Sequence, residues 1–271
     1  DGCGNRITHN LFHDAPHEAI MFGGNDQLIE FKEFHSVVHE ANDAGVIYGG
    51  YDWTMRGNVV RHNYFHHIYG FERRGCNGVY LDDQFSSASV YGNLFYEVPT
   101  AILLGGGRDN FVLNNTFVNC GRSISLDARG LGWAASGFTG LSNELVSLPY
   151  QTPPWSARYL ELTNLLNEDP MALLGNVIAR NISWGSGWTS IESSAQAGVT
   201  VSNNLVGVDP LLADTNRWNF QLLDGSPAFA LGFERLPLEQ IGPQTNVEHA
   251  PWLPTVTLLR PVHQSVIGAP V

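Results

Sequence analysis

The sequence predicts an all-β chain wound as a right-handed parallel β-helix, a solenoid of short strands, and we expect this segment to be its C-terminal portion. Three observations lead there. A short apolar pattern recurs along the chain, glycine accounts for 29 of 271 residues, and charged residues make up only 15%. Frequent glycine and low charge indicate many turns and much buried strand. We therefore expect few helices.

The recurring pattern is a strand of alternating apolar residues with a polar fourth position. That position is asparagine in six of seven copies, and successive copies are 22, 31, 30, 22, 66 and 23 residues apart. A base period of about 22 residues with loop insertions explains these steps, because one coil cannot close its own apolar face and must stack on its neighbours. Stacked amides would form a structural ladder. The positions are Asn10, Lys32, Asn63, Asn93, Asn115, Asn181 and Asn204.

A second strand follows in five of the coils and has its own alternation. Because successive side chains of a strand point to opposite faces, one set should fill the core and the other should face outward. The set expected inside is Ile20, Val46, Val79, Ile102 and Ile124, together with Phe22, Tyr48, Leu81, Leu104 and Leu126. The set expected outside is Met21, Ile47, Tyr80, Leu103 and Ser125, together with Gly23, Gly49, Asp82, Gly105 and Asp127.

The repeat also predicts the domain organisation. We assign residues 1–242 to the β-helix. Within it, residues 131–175 break the period with several prolines and a helix-compatible run from Ser156 to Glu168, which predicts a loop-and-helix insertion. Residues 209–242 are predicted to form a C-terminal cap and residues 243–271 a proline-rich tail. Because Asp1 already lies inside a repeat, we expect further coils before it.

The charge and cysteine content exclude several classes of partner. Lys and Arg total 14 against 26 Asp and Glu, with a net charge of −12 and no basic run, so nucleic acid and anionic membranes are not expected partners. No apolar run reaches the roughly 18 residues of a membrane-spanning helix. Cys3, Cys76 and Cys120 have neither the number for a disulfide framework nor the spacing of zinc ligands, and no metal site is assigned.

Charged side chains gather on the predicted outer face. Strands of neighbouring coils lie about 4.8 Å apart, so equivalent carboxylates lie roughly 5 Å apart in adjacent coils and roughly 10 Å apart two coils away. This range includes the separations of retaining glycosidases, about 5 Å, and inverting ones, about 6.5–9.5 Å. The same oxygens could bind calcium, and Asp also caps turns. The residues are Asp26, Asp43, Asp52, Arg56, Asp82, Asp83, Arg108, Asp127 and Arg129.

Two parts of this pattern need separate interpretation. Asp82 and Asp83 stand where neighbouring coils carry glycine pairs, and the repulsion between two adjacent carboxylates implies a use beyond a turn. For Asp43, capping of a turn and a functional role are equally good explanations. His13, His35 and His66 recur at one repeat position, which favours a stacked structural role, although His66 could also supply a proton.

Several motifs resemble secreted bacterial β-helix carbohydrate-active enzymes, above all glycoside hydrolase family 141, which includes α-L-fucosidases and xylanases. They are Asn42-Asp43-Ala44-Gly45, Tyr51-Asp52-Trp53-Thr54, Gly78-Val79-Tyr80-Leu81-Asp82-Asp83 and Gly106-Gly107-Arg108-Asp109-Asn110. The resemblance spans roughly residues 5–242 and includes the insertion with Pro153-Pro154-Trp155.

The resemblance implies a catalytic aspartate pair, matched here by Asp43 and Asp83, with Asp82 as a rival to Asp83. It also implies a secreted or periplasmic bacterial protein that requires no cofactor. One departure stands out, because many relatives read Gly-Arg-Asp-Trp where this chain has Gly50-Tyr51-Asp52-Trp53. An arginine that binds sugar is therefore absent from that motif.

The leading hypothesis is a glycoside hydrolase acting on plant or algal polysaccharide, in which Asp43 and Asp82 or Asp83 divide the roles of acid and of base or nucleophile. The alternatives are a polysaccharide lyase or uronate epimerase and a non-catalytic glycan-binding solenoid. A lyase often uses a lysine base, and the single lysine, Lys32, occupies a ladder position. Predicted substrate contacts are Asp52, Trp53, Arg56, His66, Tyr80, Arg108, Asp127 and Arg129.

Overall fold

The computed structural model describes residues 2–244 and shows a right-handed parallel β-helix, which confirms the predicted fold class. Three parallel sheets run along the solenoid. The first contains β1 (Arg6–Thr8), β4 (Leu28–Glu30), β7 (Val59–Arg61), β10 (Ser89–Tyr91), β13 (Phe111–Leu113), β16 (Asn176–Ala179) and β19 (Val199–Ser202). The second contains β2 (Leu11–His13), β5 (Glu33–His35), β8 (Tyr64–His66), β11 (Leu94–Tyr96), β14 (Thr116–Val118), β17 (Ile182–Trp184) and β20 (Leu205–Val206). The third contains β3 (Ile20–Met21), β6 (Gly45–Gly50), β9 (Asn77–Asp82), β12 (Thr100–Gly105), β15 (Arg122–Asp127) and β18 (Thr189–Ile191).

The predicted asparagine ladder forms the bend between the first and second sheets. The Oδ1 of Asn93 accepts hydrogen bonds from the backbone N–H and the Nδ2 of Asn63, both at 3.0 Å. Asn115 does the same for Asn93, at 2.9 and 3.0 Å. These side chains are fully buried, so each coil supplies hydrogen-bond partners that its neighbour would otherwise lack. Left-handed backbone precedes every ladder position, at His9, Phe31, His62, Gly92, Asn114, Arg180 and Asn203.

A column of phenylalanines fills the interior beneath the second sheet. Consecutive rings of the buried column lie 4.9, 4.6 and 5.3 Å apart between centroids and are nearly parallel. Stacked aromatic pairs contribute roughly 0.5–1.5 kcal/mol beyond the apolar area that they bury. The column therefore fixes the register of the coils from inside, as the ladder does at the bend. Its fully buried members are Phe34, Phe65, Phe95 and Phe117.

The third sheet corrects one part of the predicted alternation. In β6 the pairing sets Ile47 beside Val79 and Tyr48 beside Tyr80, so Ile47 points inward and Tyr48 outward. The expectation that Tyr48 lines the core and Ile47 faces outward was therefore wrong, whereas Val46 is fully buried in the core as expected. The cause lies at Gly49, where a Cβ would meet the rings of Phe22 and Phe85 at 2.9–3.1 Å. Those two rings occupy the interior space that the side chain of residue 49 would need.

The insertion leaves the solenoid after β15 and returns at β16, and we call this segment, residues 128–175, the arm. It contains α1 (Phe138–Val146) and α2 (Trp155–Arg158), so the helix predicted from Ser156 to Glu168 is α-helical only in its first turn, after which two short 3-10 helices follow, at Leu160–Leu162 and Leu165–Asn167. The backbone of Tyr159 leaves the helical region, at φ −129° and ψ 73°, and its hydroxyl donates to Asp26 Oδ2 at 2.8 Å. This contact with the solenoid replaces helix continuation.

The C-terminal segment runs along the side of the solenoid. After the antiparallel strands β21 (Leu212–Asp214) and β22 (Asn219–Leu222), its apolar side chains pack on the outer face of the second sheet. It then reaches the early coils, where the Gly242 N–H donates to the Phe31 carbonyl at 2.9 Å. Residues 209–242, for which we expected a cap, therefore cover a lateral face. The predicted tail lies outside the described residues except for positions 243 and 244.

Candidate active site

Three carboxylates and one arginine meet where strands of the third sheet end. Asp82 ends β9, Asp83 follows it, and Asp127 ends β15, two coils away. The Arg129 side chain crosses the intervening coil at Gly105, where a Cβ would lie 2.5 Å from its guanidinium carbon. Glycine at this position of β12 therefore opens the passage that joins the two acidic ends.

Arg129 occupies the centre of the carboxylate cluster. Its Nη1 donates to Asp82 and, at 3.2 Å, to Asp83. Its Nε and Nη2 donate to the two oxygens of Asp127 at 2.9 and 2.8 Å. Burial alone would lower the pKa of Arg129, but the hydrogen bonds to Asp127 and Tyr80 and the surrounding carboxylates raise it above its usual value. The guanidinium thus offsets part of the negative charge of the cluster.

The environment of Asp83 at this edge perturbs its pKa. Burial, followed by the charge of Asp82, raises the pKa of Asp83 above its ordinary value, although Arg129 opposes the shift. The backbone of Asp83 and of Gln84 has positive φ, at 32° and 68°. Left-handed backbone is unfavourable for residues with a side chain, and such strain often accompanies functional sites. Asp83 therefore combines a raised pKa with left-handed backbone.

A pair of tyrosines connects Asp43 with this cluster. The Tyr48 hydroxyl donates to Asp82 Oδ2 at 3.1 Å, and the Tyr80 hydroxyl donates to Asp43 Oδ1 at 3.4 Å. The two rings lie 5.4 Å apart and almost perpendicular. Asp43 itself is exposed. The fold thus brings the predicted carboxylates to one patch of the outer face, although Asp43 precedes its strand while Asp82 and Asp83 end theirs.

The arm closes a cavity of about 260 Å³ over the acidic edge. Asp83 and Gln84 line it from the solenoid and Trp133 from the arm, with Tyr51 at its side. Trp133 is 75% exposed, and its ring lies 5.2 Å from the Arg129 guanidinium. An exposed indole beside a carboxyl group of raised pKa is an arrangement that suits an apolar ring face carrying hydroxyl groups.

The comparison with protein families matches residues 1–145, more than half of the chain, to the family described as the right handed beta helix region. The chain belongs to this right-handed β-helix family. No curated protein and no solved structure matched it.

Several residues predicted to bind substrate lie away from the cavity of this β-helix. Trp53 and Arg56 are fully buried, Trp53 in the apolar cluster beneath the arm, so neither faces a ligand. Burial lowers the pKa of Arg56 to about 10. Asp52 accepts hydrogen bonds from the N–H and hydroxyl of Thr54, both at 2.7 Å, as a turn residue does. The prediction of sugar contacts by Trp53 and Arg56 is therefore not supported by their positions.

Two further predicted residues have other partners in the β-helix. Arg108 is 7% exposed and its Nη1 donates to the backbone carbonyl of Glu168 at 3.0 Å, so it helps to hold the arm. His66 lies in the second sheet, where its ring stacks on His35 with centroids 5.0 Å apart and its Nε2 lies 3.1 Å from Glu33. The predicted histidine column is thus confirmed as a stack.

Four side chains at the site were missed by the sequence interpretation. Tyr48 was placed in the core by the register error, and Trp133 lies in the arm, where the repeat gives no guidance. Tyr51 lies in the motif Gly50-Tyr51-Asp52-Trp53, where the sequence departs from that of the resembled family. Gln84 is 1% exposed and its amide fits between two glycines, since a Cβ at Gly106 or at Gly130 would lie 2.2 or 2.4 Å from Nε2. The glycines at 106 and 130, in two successive coils, were the sequence feature that could have indicated a buried side chain between them.

The described residues, 2–244, contain no group of three or more His, Cys, Asp or Glu side chains that could hold a metal ion. In the acidic cluster, where calcium binding was one interpretation, the Arg129 guanidinium lies between the carboxylates. None of the helices in this part of the β-helix protein is long and apolar enough to span a membrane.

Proposed function

We propose that this β-helix protein is a polysaccharide-acting enzyme, and specifically a glycoside hydrolase in which Asp83 is the general acid. The observation that carries the proposal is a carboxyl group of raised pKa in the wall of a cavity, with a second carboxylate on the same face. Glycosidases commonly use two carboxyl groups, one of which must hold a proton. β-Helix domains are common in enzymes that act on polysaccharides.

The neighbours of Asp83 account for its role. Asp82 is held by Arg129 and Tyr48, and its negative charge adds to the effect of burial in raising the pKa of Asp83. Arg129 opposes this rise in the pKa of Asp83. Asp82 is in this proposal a positioning residue, and Asp83 delivers the proton to the glycosidic oxygen.

Asp43 is the proposed carboxylate partner. It reaches the cluster only through the Tyr80 hydroxyl, and not through direct contact with Asp82 or Asp83. A side chain between the two carboxylates favours the wider separation of inverting enzymes, about 6.5–9.5 Å, which leaves room for a water. We therefore assign Asp43 as the base that activates this water.

The cavity supports binding of a sugar ring. Trp133 offers an exposed ring face in the same cavity as Asp83. Tyr51, which is 51% exposed, stands where the resembled family carries arginine. A neutral phenol in place of that cation favours a substrate without a carboxylate at this position.

A lyase or epimerase is less well supported by the same residues. Lys32 is fully buried in the ladder, and burial lowers its pKa to about 8, but it lies at the bend between the first and second sheets. Arg129 is held by three carboxylates, which favour its protonated form, so it is poorly suited to act as a base. Lys32 therefore lies away from the cavity, and Arg129, although beside it, is engaged by its carboxylate partners.

The finer assignments belong to the same proposal. They are the resemblance to glycoside hydrolase family 141, a fucosidase- or xylanase-like specificity and a secreted or periplasmic location. Calcium remains a candidate helper in the alternative lyase reaction only.

Product analysis tests the proposal directly. Wild-type protein should release reducing sugar from a panel of aryl fucosides, xylan and pectic polysaccharides, and both Asp83→Asn and Asp43→Asn should abolish that release. The matched control is Asp214→Asn, which changes an aspartate of the C-terminal hairpin paired with Arg217 at 3.6 Å. A product with the ultraviolet absorbance of an unsaturated uronate would instead establish a lyase. Glycan binding without turnover would favour the non-catalytic solenoid.

A further inference from the structure

A second cavity lies at the opposite edge of the third sheet. It has a volume of about 430 Å³ and lies beside the turns that precede β12 and β15. The loop before β9 supplies Tyr69 and Arg73, and the two turns supply Glu97 and Asn119. Val98 and Pro99 add an apolar floor. None of these residues belongs to the proposed catalytic cluster.

The polar groups of this cavity are arranged around Glu97. The Tyr69 hydroxyl donates to Glu97 Oε2 at 3.1 Å, and His67 Nε2 lies 3.6 Å from the same oxygen. The Arg73 guanidinium lies 4.4 Å from the centroid of the Tyr69 ring. Among the described residues, 2–244, Arg73 forms no ion pair, whereas the adjacent Arg74 pairs with Glu72. The planar guanidinium of Arg73 is thus free to donate hydrogen bonds to a ligand.

The chemistry of these groups selects the ligand. A carboxylate accepts hydrogen bonds, a guanidinium donates them, and the Asn119 amide does both. The opposite charges of Glu97 and Arg73 disfavour a strongly anionic ligand, because Glu97 would repel it. Hydroxyl groups both donate and accept, and an apolar floor suits the ring face of a sugar. Neutral saccharide units satisfy the whole set.

The position of the cavity relates it to the acidic edge. β12 crosses the third sheet in six residues, which corresponds to roughly 20 Å at about 3.3 Å per residue. One edge carries the Glu97 cavity and the other the Asp83 cavity, and the exposed or half-buried side chains of the outer face lie between them. A polysaccharide lying along the strands would contact both edges.

We propose that the cavity formed by Tyr69, Arg73, Glu97 and Asn119 is an accessory binding site for neutral saccharide units of the same polymer that the Asp83 site cleaves. This inference rests on the proposed function for the identity of the polymer, but not for the existence of binding. It predicts that long substrates gain affinity from the second edge and that short aryl glycosides do not.

The test separates binding from cleavage. In an Asp83→Asn background, retardation in native gels containing arabinoxylan, xyloglucan or galactan reports binding, with polygalacturonate as the anionic comparison. Arg73→Ala should weaken binding of the retarding neutral polymer about tenfold, as expected for loss of hydrogen bonds from a charged group. Arg73→Lys should recover only part of it, because lysine lacks the fork. Arg74→Ala is the matched control and should bind like the background protein.

The outcomes are distinct. Equal retardation of Arg73→Ala and Arg74→Ala would overturn the accessory site, and so would the absence of retardation by all three neutral polymers. In the cleaving protein, Arg73→Ala should raise KM for the polymer and leave turnover of an aryl glycoside unchanged. Binding that depends on Arg73 in a protein that cleaves none of the substrates would retain this site and refute the proposed hydrolase.

Discussion

The asparagine ladder and the acidic edge differ in how polar side chains are distributed along the coils of the solenoid. In the ladder, one residue type recurs, and the buried amides of Asn63, Asn93 and Asn115 satisfy the coil on each side. At the acidic edge, Asp82 stands between Gly50 and Gly105 of the adjacent coils, and the next aspartate of this column, Asp127, lies two coils away. A repeated residue serves stacking, which every coil needs. A residue that breaks the repeat needs a local cause, and here it lines a cavity.

The largest effect is expected from a substitution that interrupts the asparagine ladder. In Asn93→Ala, the Asn63 N–H loses its acceptor and the Val60 carbonyl loses a donor, which was at 2.9 Å. Several buried polar groups then lack partners, so we expect the free energy of unfolding to fall by about 3 kcal/mol. Urea unfolding measures this change. Activity per folded molecule should stay unchanged, because the ladder does not contact the cavity.

The matched control lies at the end of the ladder. Asn204 is only partly buried, and its Nδ2 donates to Ile178 and Ser202 carbonyls at 3.0 and 2.9 Å. Water can replace an exposed partner, so Asn204→Ala should cost about 1 kcal/mol or less. Equal losses at the two positions would show that burial within the stack does not determine the contribution of a ladder amide.

The second prediction changes the acidic edge without touching the proposed acid. Asp82→Asn removes the negative charge that raises the pKa of Asp83, so that pKa should fall. Because the active form carries the proton on Asp83, the alkaline limb of the pH profile of kcat/KM should move to lower pH. Stability should change little, since Arg129 keeps its contacts with Asp127. A profile that keeps its alkaline limb in place would remove Asp83 from the role of acid.

A smaller effect is expected at the arm. Trp133→Ala removes the exposed ring beside Arg129 and should raise KM about fivefold, while kcat changes less, since stacking contributes roughly 1 kcal/mol. Leu131→Ala is the matched control, because Leu131 is also exposed, at 56%, but does not line the cavity. Equal kinetic effects in both variants would indicate that the arm acts only as a cover.

The same contrast explains what the sequence could predict. The repeat sets the fold, the ladder and the phenylalanine column, because each coil restates the same local pattern. It identified Asp82 and Asp83 as exceptions within that pattern. It misplaced Tyr48, because three consecutive apolar residues leave a period of two ambiguous until the Phe22 and Phe85 rings meet Gly49. It could not place Trp133 or the burial of Trp53, because both depend on how the aperiodic arm folds back.

The last prediction concerns the histidines that face the C-terminal segment. The His67 ring stacks on Trp218 with centroids 4.7 Å apart, and its Nδ1 lies 2.8 Å from that of His66. Burial, followed by the charge of His66, lowers the pKa of His67 to about 4. An unfolded histidine titrates near 6.5, so between about pH 6.5 and 4 the unfolded chain binds more protons than the folded one. The contribution of His67 to stability should therefore fall as the pH drops through this window and level off below it.

Replacing this histidine isolates its share of the pH dependence. His67→Gln cannot protonate, so the loss of unfolding free energy between pH 7.5 and 4.5 should shrink by on the order of 1 kcal/mol. Some dependence should remain, because burial also lowers the pKa of His35 and His62. His39→Gln changes an exposed histidine that lies outside the stack and should leave the slope as it is. An unchanged slope in His67→Gln would mean that the C-terminal segment leaves His67 open to water, and that packing of Trp218 does not hold it neutral.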